Sequence, residues 1–307
     1  MKKIIVSGAT SMIGLELVKL MVSECYTVIA LVRPFSIRND KLLQFANVEI
    51  VQCELGKYSE LPVIYDVAGF FHLAWDASTD RDNYYAQIRN IEYTLDAVKY
   101  AEKCNCSFFL GTGSQAEYGI IPAGTKLSGG TSVNPESGYG IAKYAAGRMA
   151  INYCNQLKNM RCCWTRILSV YGNGDRANSL VSYVMNGLLN NKVIELSPCQ
   201  QIWDYLYVKD AASALYAIFN SGKAGNTYVI GSGKGRLLSE YVYEIQSIIG
   251  KKGNLKIGAK EYAVHQPMYM VADLNDLIHD TGWQPRYSFS EGMCDMLQCS
   301  TGNIKGE

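Results

Sequence analysis

Six apolar runs, KIIVSG, VIALVR, VEIVQC, VAGFFHLA, SFFLGTG and RCCWTRILSV, follow one another with amphipathic stretches between them. Near-continuous apolar runs of strand length, spaced by helix-length segments, predict a parallel sheet covered on both faces. The periodicity predicts helices over Leu15 to Ser23 and Asn83 to Cys104. After Tyr171 the pattern loosens into GNGDRANS, a helical stretch over Leu180 to Leu189, and short strands at KVIEL, DYLYV and NTYVIG. The fold expected is α/β: a Rossmann-type doubly wound parallel sheet with a smaller, discontinuous C-terminal α/β substrate lobe. The division expected is 1–171 for the dinucleotide-binding domain, with 202–225 returning to it, and 172–201 plus 226–307 for the substrate lobe.

Length and charge narrow the partners. The 307 residues are 48% hydrophobic and carry 29 basic and 28 acidic side chains, a net charge of +1, with neither sign gathered into a long run. Neither nucleic acid nor a membrane surface is expected as the main partner. No signal-peptide core or apolar span of ~20 residues is present, so a cytoplasmic location is expected. Among ten cysteines the close pairs are Cys104 with Cys106 and Cys162 with Cys163, and neither has zinc-knuckle spacing. His72 ends an apolar strand, and His265 and His279 stand far from these pairs, so no metal site is expected.

Candidate chemistry begins at the first strand, in IIVSGATSMIG. A dinucleotide turn needs glycine for the tight turn, little side chain where backbone meets pyrophosphate, and glycine for helix–strand packing. Gly8 and Gly14 supply the ends, while Ser11 holds the close-approach position, where its hydroxyl could bond a phosphate. Gly8, Thr10, Ser11, Met12, Ile13 and Gly14 are the expected contacts of this loop with the cofactor. Roughly 20 residues further on, a cofactor without a 2′-phosphate meets a carboxylate. Here Arg33, Ser36 and Arg38 stand there instead, with no carboxylate before Asp40, which favours NADPH over NADH.

The stretch YGIAK puts Tyr139 and Lys143 at i and i+4, about 6 Å apart on one helix face, where the ammonium would lower the tyrosine pKa. Tyr205 and Lys209 have the same spacing in YLYVK, but in a strand they would be about 13 Å apart. Thr112 and Ser114 follow a buried strand, where ligands of open parallel sheets bind, and offer a hydroxyl to orient a carbonyl.

Taken with FFHLAW, SQAEYG, RILSVYGNGDR, WDYLYVKDAA and TGWQP, these motifs make the chain resemble the extended short-chain dehydrogenase/reductases of the NAD-dependent epimerase/dehydratase type, which act on nucleotide sugars. The resemblance implies a Ser114, Tyr139 and Lys143 triad, with Lys143 also on the nicotinamide ribose. It implies further cofactor contacts from Glu54, Leu55, Leu73, Ala74, Trp75 and Thr112, and a homodimer paired through the helices at Asn83 to Cys104 and Tyr139 to Cys154. Glu54 replaces the usual aspartate. Dehydratases of this family carry an Asp–Glu pair where this chain has Gln115 and Ala116, and the related epimerase/reductases use a cysteine there, so simple hydride transfer is the expected chemistry.

For the substrate, Arg176, Asn178 and Ser179 follow YGNG and could meet a diphosphate or sugar, as could Arg236. Trp203, where many relatives carry arginine, could stack on a base or cover a deoxysugar methyl, or equally be a core residue. With Ser114, Gln115 and Tyr139 these make the expected substrate set. The function expected is NADPH-dependent reduction of a dTDP-, CDP- or GDP-linked 4-keto-6-deoxyhexose. The alternatives are an NAD-dependent nucleotide-sugar 4-epimerase, a reductase of non-sugar ketones, and a non-catalytic nucleotide-sensing module.

Overall fold

The computed structural model describes residues 2–250, 254–264 and 266–302, so His265 lies outside the described residues. In chain order the first elements are β1 (Lys3–Ser7), α1 (Met12–Ser23), β2 (Thr27–Val32), β3 (Val48–Gln52), β4 (Val67–His72), α2 (Tyr84–Lys103), β5 (Phe108–Ser114), α3 (Gly138–Cys154) and β6 (Arg161–Ile167). There follow β7 (Ser169–Tyr171), α4 (Leu180–Leu189), β8 (Val193–Leu196), β9 (Ile202–Trp203), β10 (Tyr205–Tyr207), α5 (Val208–Ser221) and β11 (Thr227–Ile230). The last are β12 (Arg236–Leu237), α6 (Leu238–Ile249), β13 (Asn254–Ile257), β14 (Tyr269–Met270), α7 (Asn275–Thr281) and α8 (Phe289–Gly302).

Seven strands form one parallel sheet in the order β11-β6-β5-β4-β1-β2-β3. Strand order reverses at β1, with β2 and β3 to one side and β4 onward to the other, which opens a crevice at the carboxyl ends of β1 and β4. Alternation along each strand feeds two cores. Ile4, Val6, Phe71 and Leu110 pack with α1 and α5, whereas Ile5, Phe70 and Phe109 pack with α2 and α3. Burial on both faces is why these strands read as unbroken apolar runs.

Thr227–Ile230, which the sequence division places in the substrate lobe, is instead the edge strand of the main sheet beside β6. Its three consecutive buried residues Tyr228, Val229 and Ile230 suit a strand covered on both faces. The short strands lie elsewhere: β7 with β10, β8 with β13, and β9 between β12 and β14. A third core joins α4, α6 and α8 through Val184, Leu188, Val242, Ile245 and Met293.

Two of the sequence motifs are clasps between these parts. Asp210 of WDYLYVKDAA accepts the backbone N–H groups of Arg286 and Tyr287 at 2.9–3.1 Å. Trp283 of TGWQP donates its indole N–H to Ser213 at 2.8 Å, fixing the chain's return onto α5. Lys209 does not continue a strand, because α5 begins at Val208; it pairs with Asp295 at 2.9 Å. No helix among the described residues is long and apolar enough to cross a membrane. No metal-binding cluster occurs among them, and the ten cysteines are free thiols.

Candidate active site

The turn after β1 is shaped by steric necessity. Gly8 has φ +71°, and a Cβ there would stand 2.8 Å from the Ala74 nitrogen; on Gly14 it would stand 2.2 Å from the Gly8 carbonyl oxygen. Ser11 is the N-cap of α1, its Oγ accepting the Gly14 N–H at 3.1 Å. The hydroxyl proton stays free, so Ser11 can still donate, but its first task is the helix start. Thr10 is half-buried, and Met12 and Ile13 pack their side chains against the core of the second lobe, leaving backbone N–H groups as what these two offer a ligand.

Around this turn, Leu73 donates its N–H to the Ser7 carbonyl at 3.1 Å, and Ala74 donates to the Ser7 hydroxyl at 3.4 Å. Beyond β2, Arg33 and Arg38 are exposed and have no ion-pair partner among the described residues. Ser36 caps the turn Ile37–Leu42 by accepting from the Arg38 N–H, and Asn39 ties that turn to the Arg33 carbonyl at 3.1 Å. Glu54 is exposed after β3, and Leu55 packs into the α2–α3 core.

Tyr139 and Lys143 ride on the first turns of α3, which Ser137 caps at the Gly140 N–H (3.1 Å) and Asp82 at the Gly138 N–H (3.1 Å). Ser114 ends β5 opposite them. The buried Lys143 ammonium donates to the Thr112 carbonyl at 2.5 Å and lies 3.8 Å from the Trp75 ring centroid. Thr112 in turn donates its hydroxyl to the His72 carbonyl at 3.2 Å. Trp75 is placed by donating its indole N–H to Gln87 at 2.9 Å, and meets Tyr139 edge-on at 6.0 Å. Its side chain therefore packs against both Lys143 and Tyr139.

Electrostatics here depart from the sequence expectation. Burial pushes the Tyr139 phenol up, against lowering by the Ser114 hydroxyl, Arg81 and Arg176 and with a raising contribution from Glu117. The Lys143 ammonium, held by Thr112 and Trp75, lies 5.8 Å from the Tyr139 ring centroid. Burial brings Lys143 down to about 7, opposed by Glu117. Arg81 lies 5.5 Å over the Tyr139 ring. Next to Lys143, His72 is brought down to about 3 by burial and by that lysine, and stays neutral. Thr94 donates to the Asn90 carbonyl, which leaves it to accept from His72 Nε2, so Nδ1 accepts from Ser7 at 2.8 Å.

Residues from the second lobe form the facing wall. The Trp203 indole donates to Ser169 at 2.8 Å, and Ser169 donates to Gln115 at 3.4 Å. Arg176 reaches across to Ser78 at 3.0 Å and is near enough to act on Tyr139. Asn178 is exposed, while Ser179 caps α4 and donates to Asp175 at 2.6 Å. Arg236, opposite Trp203 in the β9–β12 pair, is held by Glu244 at 2.7 Å and Glu240 at 3.3 Å over the Tyr241 ring. Its charge is met by these two carboxylates, so a diphosphate at Arg236 would compete with Glu240 and Glu244 for the guanidinium.

Arg81 and the buried pair Glu117–Arg166 were not singled out by motif reasoning. Glu117 lies within SQAEYG and Arg166 within RILSVYG, but only the fold shows that the two side chains meet.

A family model described as NAD dependent epimerase/dehydratase family matches residues 4–231. Among curated proteins, a CDP-abequose synthase of Salmonella muenchen is 23% identical across 96% of this chain and 97% of its own length. A second CDP-abequose synthase, from Salmonella typhimurium, is 25% identical over the same shares. Among solved structures, a UDP-N-acetylglucosamine 4-epimerase from Methanobrevibacter ruminantium superposes with TM-score 0.88 at 18% identity, covering 98% of this chain and 99% of that one. A dTDP-glucose 4,6-dehydratase from Bacillus anthracis in complex with NAD gives TM-score 0.85 at 20% identity, covering 99% and 98%. At such identities the solved structures speak to the fold.

Proposed function

The chain is an enzyme of the NAD dependent epimerase/dehydratase family, and from that premise we propose that it is an NADPH-dependent reductase of a nucleotide-linked 4-keto-6-deoxyhexose. The observation that carries this reading is the convergence of Ser114, Tyr139 and Lys143 at the end of β5, with Ala116 and Gln115 where dehydration would need two carboxyl groups. The residues present fit a dinucleotide: Gly8 leaves room that a Cβ would fill, and α1 begins with free N–H groups. Unpaired Arg33 and Arg38 suit a 2′-phosphate.

NADPH, when bound, supplies the hydride. Tyr139 gives its proton to the carbonyl oxygen, and Ser114 holds that oxygen by donating its hydroxyl. Lys143, anchored by Thr112 and Trp75, supplies positive charge beside the tyrosinate as it forms. Arg81 and Arg176 add to that field from the cleft side. Trp203, fixed by Ser169, and Gln115 form the wall against the sugar.

The test follows absorbance of NADPH and NADH separately with CDP-, dTDP- and GDP-4-keto-6-deoxyhexoses. Relatives named for CDP-abequose put CDP first. Stoichiometric consumption of NADPH with one of them is expected. If neither cofactor is consumed and the denatured protein releases NAD, the epimerase reading takes its place and Arg33 does not select the cofactor. A homodimer belongs to the same proposal, paired through α2 and α3.

A further inference from the structure

Beneath Ser114 lies a buried charge pair that the proposed reaction does not call for. Glu117 is fully buried, and its Oε1 accepts both the Ser114 backbone N–H at 2.9 Å and the Trp164 indole N–H at 3.1 Å. Its Oε2 accepts from Arg166 Nε at 2.8 Å. Arg166, itself buried, donates a second N–H to the Gly129 carbonyl at 3.1 Å and lies 4.7 Å from the Tyr118 ring.

The surroundings are cut to admit this arrangement. A Cβ on Gly113 would fall 2.1 Å from Glu117 Oε1, and one on Gly111 would fall 2.1 Å from the Trp164 ring. One on Gly147 would fall 2.6 Å from the same indole. Glycines from β5 and α3 thus form a slot that aims the indole N–H at the carboxylate. A buried ion pair is weak evidence of stabilisation, since an apolar pair of like volume often serves as well. An apolar pair cannot, however, accept the Ser114 N–H, and a buried amide left without a partner drives the chain to turn until it finds one.

We propose that Glu117 is a positioning residue whose carboxylate, clamped by Arg166 and Trp164, fixes the Ser114 backbone and with it the hydroxyl that works beside Tyr139. It rests on the reading of Ser114 as the group that holds the reacting oxygen. The Ser114 hydroxyl accepts the Ala116 N–H at 3.2 Å while Glu117 accepts the Ser114 N–H, a reciprocal cap around one short turn. An ordinary cap of this kind faces solvent. Here the acid is tied to two side chains of β6, so the Ser114 end of β5 is referenced to its neighbouring strand.

Two variants separate positioning from bulk stability: Glu117→Gln, and the charge-neutral double Glu117→Leu with Arg166→Met. Melting temperature, kcat and KM are measured in the wild type's own reaction, with NADPH and the keto sugar it accepts, alongside hydrogen exchange of the Ser114 amide by NMR. The double variant is expected to fold, to lose about 100-fold in kcat with KM within about threefold, and to exchange the Ser114 amide faster. Glu117→Gln keeps an acceptor for that amide and should hold kcat within about tenfold.

A folded double variant with kcat near the wild-type value overturns the proposal, as does a folded Glu117→Gln as inactive as Ser114→Ala. If the double variant does not fold, that comparison of Glu117→Gln with Ser114→Ala decides. Should the wild type turn over no keto sugar, the functional reading fails separately. Ser114 exchange then decides alone, and unchanged protection in the variants overturns the positioning role.

Discussion

In the proposed mechanism Tyr139 is the general acid, and removing its hydroxyl leaves the ring against Trp75 in place. Tyr139→Phe is therefore expected to fold normally and lose about 10²–10⁴-fold in rate. A near-normal rate, measured at saturating substrate, removes Tyr139 from the mechanism. Lys143 makes a prediction about pH. Its pKa falls from 10.5 in water to about 7 in the folded chain, so between those values the unfolded chain binds a proton that the folded one does not. Its contribution to stability therefore rises with pH across that window. From about pH 7 to pH 9.5 the urea midpoint should rise relative to that of Lys143→Met, the buried Cys106, Cys162 and Cys163 thiols, pushed up in both proteins, lowering the stability of both alike at the alkaline end. Equal slopes in the two proteins would mean that the ammonium is not desolvated. At this scale Tyr139 and Lys143 were legible because i and i+4 on a helix is a local relation. The partners that set their charge were not, since Trp75, Arg81 and Glu117 come to them from other loops and strands.

At the scale of elements, α3 is where helix capping meets the residues of the proposed mechanism. Ser137 accepts the Gly140 N–H one turn ahead of Lys143, and Asp82 from the loop before α2 accepts the Gly138 N–H. Ser137→Ala should cost about 1 kcal/mol in denaturant melts, in the range usual for a lost N-cap. If stability is unchanged, Asp82 alone suffices to start the helix. The runs that became β1 to β6 were readable because strands covered on both faces are apolar throughout. Thr227–Ile230 was misassigned for the opposite reason: an isolated run of strand length says nothing of which sheet it joins, and only pairing with β6 decides. Lys209 shows the same limit, since a strand-like YLYV gives way to helix at Val208, where Asp210 is pinned under Arg286 and Tyr287.

For the molecule as a whole, the crevice lies between the main sheet and the second lobe, and the contact of Arg176 with Ser78 spans it. None of this was visible in either segment alone, because residue 176 and residue 78 become neighbours only when the lobes dock. The outer face of α2 and α3 raises a different matter. Tyr85 is 80% exposed and Ile88 56% on α2, and Ile141 is 51% and Met149 49% exposed on α3. Large apolar side chains gathered on two packed helices favour covering by a like surface, and a two-fold axis lets one patch meet its own copy. Each substitution then counts twice, once from each protomer. Ile88→Arg with Met149→Glu is expected to shift the protein from dimer to monomer in light scattering at micromolar concentration while the Tyr139 environment stays intact. A wild type that is monomeric there removes this face as an interface. A dimer that survives the double substitution places the interface elsewhere on the surface.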